Sequence, residues 1–120
     1  MGRTILIVDD NAYIRNALRA MFEDGLDATC TEACDGREAI ERAPGVKPDL
    51  IVLDLSMPVM NGLDAAPELA RLLPSVPIVM FTSFDDRLDL VLTAAANICA
   101  IVSKSEAPRL LAVIRSKLTA

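Results

Sequence analysis

The sequence predicts an α/β fold: a doubly wound, five-stranded parallel sheet with helices on both faces. Three observations point to it. Strand-like runs of four to six residues alternate with segments whose apolar residues recur at helical spacing. Most of these runs are apolar at nearly every position, as in strands buried on both faces, and do not alternate as strands with one wet face do. A chain of 120 residues is also one domain's worth, long enough for a real core and too short for a second.

The first strand is Thr4 to Val8, built on Ile5-Leu6-Ile7-Val8, and Asp9-Asp10 follows it directly. From Asn11 to Asp24, residues Ile14, Ala17, Leu18, Met21 and Phe22 keep the i, i+3, i+4, i+7, i+8 spacing of one helical face, the cleanest helix in the chain. Ala28 to Ala33 reads as the second strand. A helix from Gly36 to about Ala43 is expected to stop at Pro44-Gly45, and Pro48 favours an extended approach to the third strand, Leu50 to Leu53. The third helix carries Pro67, which lacks the amide a helix interior needs. Either it begins near Asp64 as N-cap, with Pro67 in its first turn, or it starts earlier and is kinked. Ile78 to Thr82 is the fourth strand. Asp85 to Ala96 predicts a fourth helix with Leu88, Val91, Leu92 and Ala95 inward and Leu90 exposed. Ala100 to Ser103 is the fifth strand. A fifth helix starts with Ser105 as N-cap and runs through Leu110, Leu111, Ile114 and Leu118. Right-handed crossovers place the helices on both faces and gather the C-terminal ends of the strands around one crevice.

Composition excludes several functions. Acidic residues outnumber basic ones 17 to 12, the net charge is -5, and no Lys/Arg run stands out, so direct nucleic-acid binding is not expected. The hydrophobic fraction is 52%, yet no stretch approaches the roughly 20 apolar residues of a membrane span. The first residues lead straight into a strand, which leaves no signal peptide and points to the cytoplasm. There is no histidine, so no Ser-His-Asp or Cys-His arrangement can form and the chain cannot donate a phosphoryl group from histidine. Cys30, Cys34 and Cys99 read as small core residues, not as a disulfide framework or a zinc site.

The residues that carry chemistry stand at strand ends. Asp9-Asp10 alone is an ordinary helix-start pair, since acids there cap the helix and complement its dipole. Their place argues for more. A nucleotide-binding α/β fold puts a glycine-rich phosphate loop after its first strand, and acids there repel phosphate and attract a cation. Asp54 ends the third strand on the same edge. Three carboxylates converging in one crevice raise at least one pKa unless a cation joins them. Oxygen donors without thiols or imidazoles suit magnesium. In the loop Ser56-Met57-Pro58-Val59-Met60-Asn61-Gly62, the proline fixes a turn and the glycine permits unusual backbone angles, so the loop is able to aim a carbonyl at the metal. Thr82 and Lys104 bring a hydroxyl and an ammonium to the same edge, fit for an anion beside that metal. Either one alone is unremarkable, a β-branched strand residue and a solvated lysine. A carboxylate that accepts a phosphoryl group from a donor uses all of these parts.

On these residues the chain resembles the receiver domains of two-component response regulators, the CheY-like family. The resemblance runs over essentially the whole length: Asp9-Asp10, then Asp54 within Pro48-Asp49-Leu50-Ile51-Val52-Leu53-Asp54-Leu55-Ser56-Met57-Pro58, then Asn61-Gly62, Thr82-Ser83 and Lys104. It implies a flavodoxin-like strand order of 2-1-3-4-5. It further implies that Asp54 takes the phosphoryl group from a phosphohistidine on a sensor histidine kinase or histidine phosphotransfer protein. Magnesium would be held by Asp10, Asp54 and the Ser56 backbone carbonyl, with Asp9 acting through water. Lys104 and Thr82 would contact phosphoryl oxygens, and the inward pull on Thr82 would be the conformational signal. Its implied readers are a downstream output protein or output domain.

Several positions depart from the family. Three residues before the lysine the family usually has an aromatic switch; here it is Ile101, stiff at χ1 and without a hydroxyl. Ile101, with Leu90 and Ile98, is expected to form an apolar patch on the fourth-helix, fifth-strand, fifth-helix face for dimerisation or partner docking, or else to pack under neighbouring helices. Asn97 stands where glycines are common and is expected to adopt left-handed angles. Ser56 and Phe84 occupy the positions that set how easily water reaches the acyl phosphate. Two other classes compete with a switch: a receiver-like interaction module that works without phosphorylation, and a small phosphohydrolase with an aspartyl-phosphate intermediate. The second lacks its usual second acid, since Ser56 stands two residues after Asp54. The expectation is therefore a protein that catalyses only its own phosphorylation and dephosphorylation. No output module is expected within these residues.

Overall fold

The computed structural model describes residues 2–83 and 94–119, the Thr119 side chain excepted. Five strands, β1 (Arg3–Val8), β2 (Ala28–Ala33), β3 (Leu50–Leu53), β4 (Ile78–Thr82) and β5 (Ile98–Ser103), pair in parallel in the order β2-β1-β3-β4-β5. Three helices, α1 (Ala12–Leu26), α2 (Gly36–Val46) and α3 (Gly62–Leu72), and a C-terminal helix (Ala107–Thr119) cover the sheet. Most of the predicted fourth helix, with Leu88, Leu90, Val91 and Leu92, falls on residues outside those described, as does Phe84, while Ala95 near its expected end is buried in the core as expected. Among the described residues no helix is long and apolar enough to cross a membrane.

The pleat of β1 shows why its run is apolar throughout. Leu6 and Val8 point to a core layer completed by Ala39 and Ala43 of α2 and Ala65, Ala66 and Leu69 of α3. Ile5 and Ile7 point to the opposite layer, with Leu18 and Phe22 of α1 and Leu110, Ile114 and Leu118 of the C-terminal helix. All four strand residues are almost wholly buried, and each such side chain contributes about 1.5–3 kcal/mol. The registers Val8↔Ala33, Val8↔Leu53 and Leu53↔Met80 set neighbouring strands level, and Thr82 pairs with Ser103 on β5. Whatever follows Val8 and Leu53 therefore emerges side by side.

Several local expectations need correction. The second helix does not stop at Pro44: it runs to Val46 and ends on Lys47 in a left-handed conformation (φ 52°), whose amide donates to the Ala43 carbonyl at 2.9 Å. Ala39 and Ala43, both fully buried, hold the turns before Pro44 to the sheet, and the helix carries on past the one amide that proline removes. The third helix starts at Gly62, so the earlier of the two starts is the real one. Its cap is the Asn61 side chain, which accepts from the Asp64 amide at 2.8 Å. Pro67 lies inside that helix on its exposed face, where a missing amide costs least. Ser105 does not cap the last helix: it lies inside a 3₁₀ turn over Lys104–Glu106 that leads into that helix, and Ser103 caps the turn by accepting from the Ser105 amide at 3.2 Å. Asn97 has no positive φ; its side-chain amide donates instead to the Val76 carbonyl at 2.6 Å. Of the cysteines only Cys30 is a core residue, its thiol pushed up to about 11 by burial, while Cys34 and Cys99 are exposed. Ile98 is buried, so the patch expected there does not include it, and Ile101 is half-buried against the α2–α3 layer, part way between the exposed patch and the packing alternative.

Candidate functional site

Because β1 and β3 are neighbours in register, Asp9 and Asp54 leave the sheet together. The Asp54 amide donates to the Val8 carbonyl at 2.9 Å, and the Asp9 amide to Ala33 at 3.1 Å, so each acid begins as a continuation of the strand ladder. Asp10, one residue on, is exposed, and one carboxylate oxygen from each of Asp9, Asp10 and Asp54 lies within 4.8 Å of the others. Among the described residues the buried polar side chains are Asp9, Asp54 and Thr82. Burial of that kind is costly unless paired, and its confinement to one strand edge marks this edge as functional.

Lys104 supplies the pairing. Its Nζ lies 2.8 Å from Asp9 Oδ2 and 3.1 Å from Asp54 Oδ2. Burial alone would lower the Lys104 pKa, but its bonds to Asp9 and the charge of Asp54 outweigh that and raise it, so the ammonium is secure. The Asp54 carboxyl is shifted upward. Burial is the main cause and the Asp9 charge the next, opposed by Lys104 and by the Ser56 amide bonded to it. Three carboxylates against one ammonium leave two negative charges when all are ionised. A divalent cation balances that excess, and an all-oxygen donor set suits magnesium. Asp10, Asp54, Ser56, Thr82 and Lys104 all line one open cavity of about 300 Å³, with Asn11 at its rim. All six residues singled out from the sequence, Asp9 included, thus meet at one place.

Two glycines shape the loop beyond Asp54. A Cβ on Gly62 would stand 2.1 Å from the Asp54 carbonyl oxygen, and one on Gly36 would stand 2.6 Å from the Met60 carbonyl oxygen. Both carbonyls belong to the chain that frames the acid, and the amides of Gly36 and Gly62 bond to Met60 (3.0 Å) and Leu55 (2.8 Å). Gly62 is therefore needed for close approach, not for unusual angles as the sequence suggested. The left-handed residue is Val59, β-branched and 75% exposed at φ 67°.

Sequence reasoning missed Arg15 and Glu32. Arg15 Nη1 donates to the Asp9 backbone carbonyl at 2.7 Å, and its Nε to Glu32 Oε1 at 2.8 Å. Arg19 Nε holds the second Glu32 oxygen at 2.7 Å. The available signal was weak: a lone glutamate in a strand, opposite two arginines one helical turn apart.

Known proteins resemble this chain in sequence and in fold. A family model for the response regulator receiver domain matches residues 5–115. The chemotaxis protein CheY of Thermotoga maritima is 39% identical over 80 residues, which are 67% of this chain and 67% of that protein. A protein-glutamate methylesterase/protein-glutamine glutaminase of Methanosarcina acetivorans is 43% identical over 79 residues, 65% of this chain but only 22% of that protein, so the chain corresponds to a small part of this longer relative. The receiver domain of the sensor histidine kinase PA1611 of Pseudomonas aeruginosa, solved with magnesium coordinated in its active-site cleft, superposes with a TM-score of 0.87 at 24% identity, over 100% of both chains.

Proposed function

The chain belongs to the response regulator receiver domain family, and from that premise we propose that it is a single phosphoacceptor domain in which Asp54 takes a phosphoryl group from a phosphohistidine. The observation that carries this reading is the buried Asp54 carboxylate held at 3.1 Å by Lys104, beside Asp9 and at the floor of an open cavity. A carboxylate oxygen of Asp54 attacks phosphorus, the P–N bond breaks, and the departing imidazole nitrogen keeps the electron pair and takes a proton. Lys104 exchanges its bond to Asp54 Oδ2 for one to a phosphoryl oxygen, and the Thr82 hydroxyl donates to another. Asp9, Asp10, Asp54 and the Ser56 carbonyl are the residues that would hold Mg2+, which when bound offsets the negative charge gathered there.

The chemistry is confined to the protein's own phosphorylation and dephosphorylation, and the product is a change of conformational population. Thr82 pairs with Ser103 on β5, two residues beyond Ile101, so movement of Thr82 toward the phosphoryl group is felt next to Ile101. We place the output surface on the face that contains Ile101, where an output protein or domain, or a second copy of the chain, docks. An Ile101→Asp variant that is phosphorylated normally and retains partner binding and self-association would contradict that placement. The primary reading is tested by phosphotransfer from a purified phosphohistidine donor. Label should move to the wild type and not to Asp54→Asn, and equal labelling of both proteins would exclude Asp54 as acceptor.

A further inference from the structure

Asp9 is the most constrained residue of the acidic edge. Its amide goes to the Ala33 carbonyl at 3.1 Å, its Oδ1 accepts from the Asn11 amide at 2.9 Å, and its Oδ2 faces Lys104 at 2.8 Å. The remaining group, the backbone carbonyl, accepts from Arg15 at 2.7 Å. That carbonyl belongs to the peptide joining Asp9 to Asp10. Asp10 is exposed, so the aim of its carboxylate depends on the peptide plane it hangs from. Arg15 fixes the plane.

A long arginine side chain loses much rotamer freedom when held in one place, and a half-exposed one ordinarily moves. Here it is held. Arg15 is 18% exposed, and its Nε is taken by Glu32 Oε1 while Arg19 occupies Glu32 Oε2, so both carboxylate oxygens of Glu32 are engaged. Arg42 also donates to the Glu32 backbone carbonyl, which ties that stretch of β2 to α2. A chain of contacts thus runs from Arg19 through Glu32 and Arg15 to the Asp9–Asp10 peptide, and it brings a cationic guanidinium to the backbone of the acidic edge.

From this geometry we infer that Arg15, oriented by Glu32, is a positioning residue for the cation site: it presets the Asp9–Asp10 peptide so that the acids converge before the divalent ion arrives. The inference rests on the proposed phosphoacceptor reading. Residues that orient metal-binding groups without touching the metal typically change affinity by about 10–100-fold when removed. A surface ion-pair cluster that merely pins α1 to β2 would change folding stability and leave ion affinity alone.

The test is magnesium titration by calorimetry on the intact chain, with thermal melting of each variant, for wild type, Arg15→Met, Arg15→Lys, Glu32→Gln and Arg19→Met. Arg15→Met should weaken magnesium binding about tenfold, Arg15→Lys should recover part of it, and Glu32→Gln should fall between. Arg19→Met removes one tie to Glu32 and the one to Glu23 but keeps the bond to the Asp9 carbonyl, so it should melt lower with affinity within about twofold of wild type. The phosphorylation rate of Arg15→Met should return toward wild type as magnesium is raised to saturation. Unchanged affinity in both Arg15 variants, or an equal loss in Arg19→Met, overturns the inference while the phosphoacceptor reading stands. A wild type that neither binds magnesium nor gains a phosphoryl group overturns both.

Discussion

Gly62→Ala places the sharpest demand on the geometry around Asp54. The added methyl would lie 2.1 Å from the Asp54 carbonyl oxygen, 2.9 Å from its carbonyl carbon and 3.1 Å from Leu55 Cα. All three are backbone atoms, with no flexible side chain to yield. Ordinary contact begins at 3.4 Å, so α3 or the Asp54 backbone must retreat by about 1.3 Å, the difference of 3.4 and 2.1. In a helix, alanine for glycine ordinarily gains about 0.5–1 kcal/mol. Overpacking of a closed contact costs about 1–3 kcal/mol, and here it outweighs that gain. The expected net loss is about 1–2 kcal/mol, seen as a lower urea midpoint at unchanged slope. Asp54 forms one side of that contact, and a misplacement of about 1 Å can cost on the order of a hundredfold in rate, so phosphorylation should fall further than stability. Gly45 is the control. A Cβ there meets nothing within 4 Å, so Gly45→Ala in α2 should stabilise by about 0.5 kcal/mol. A Gly62→Ala protein as stable and as readily phosphorylated as wild type would refute the close-approach argument.

Three further outcomes follow from other parts of the molecule. Val59→Gly should raise stability by about 1 kcal/mol in urea unfolding, because a β-branched residue at φ 67° carries left-handed strain that glycine lacks; destabilisation would show that the Val59 side chain has a packing role. The Glu32 carboxyl is held below its ordinary value: burial pushes it up, but the hydrogen bonds from Arg19 and Arg15 win. A depressed folded-state value means the stabilisation is full above the unfolded pKa and lost as pH falls through the folded one. Glu32→Gln should therefore cost about 1 kcal/mol at pH 7 and converge with wild type in acid, and a deficit independent of pH would contradict the ion-pair account. Magnesium should raise the melting temperature of wild type, with about 2.7 kcal/mol gained at a hundredfold excess over the dissociation constant, and should do much less for Asp10→Asn.

The limits of β2, β3 and β4 are legible in the sequence because a turn residue or a charge stands within two residues of each end. β5 begins two residues before its expected start, at Ile98, because Ile98 is drawn into the core although Asn97 and Cys99 beside it look like loop. The helix starts were harder. Asn61 and Asp64 are equally good caps on paper, and it is the close seating of Gly62 against the Asp54–Leu55 backbone that selects the earlier one. Pro44 was read as a stop because a local rule cannot know that the buried Ala39 and Ala43 anchor the turns before it, from which the helix continues to Val46. The acids, Thr82 and Lys104 could be grouped from the sequence because each ends a strand, and strand ends in a parallel sheet share an edge. Arg15, Glu32 and the tight approach of Gly62 were not legible, since they depend on how α1 and α3 sit against the sheet and leave no local spacing to detect.

The most direct test of the central claim is intact mass after incubation with phosphoramidate, for wild type with magnesium, wild type with chelator, and Asp54→Asn with magnesium. The account predicts the gain of one phosphoryl group in the first sample alone. An equal gain in Asp54→Asn, or a gain in wild type that does not depend on the metal, would contradict it.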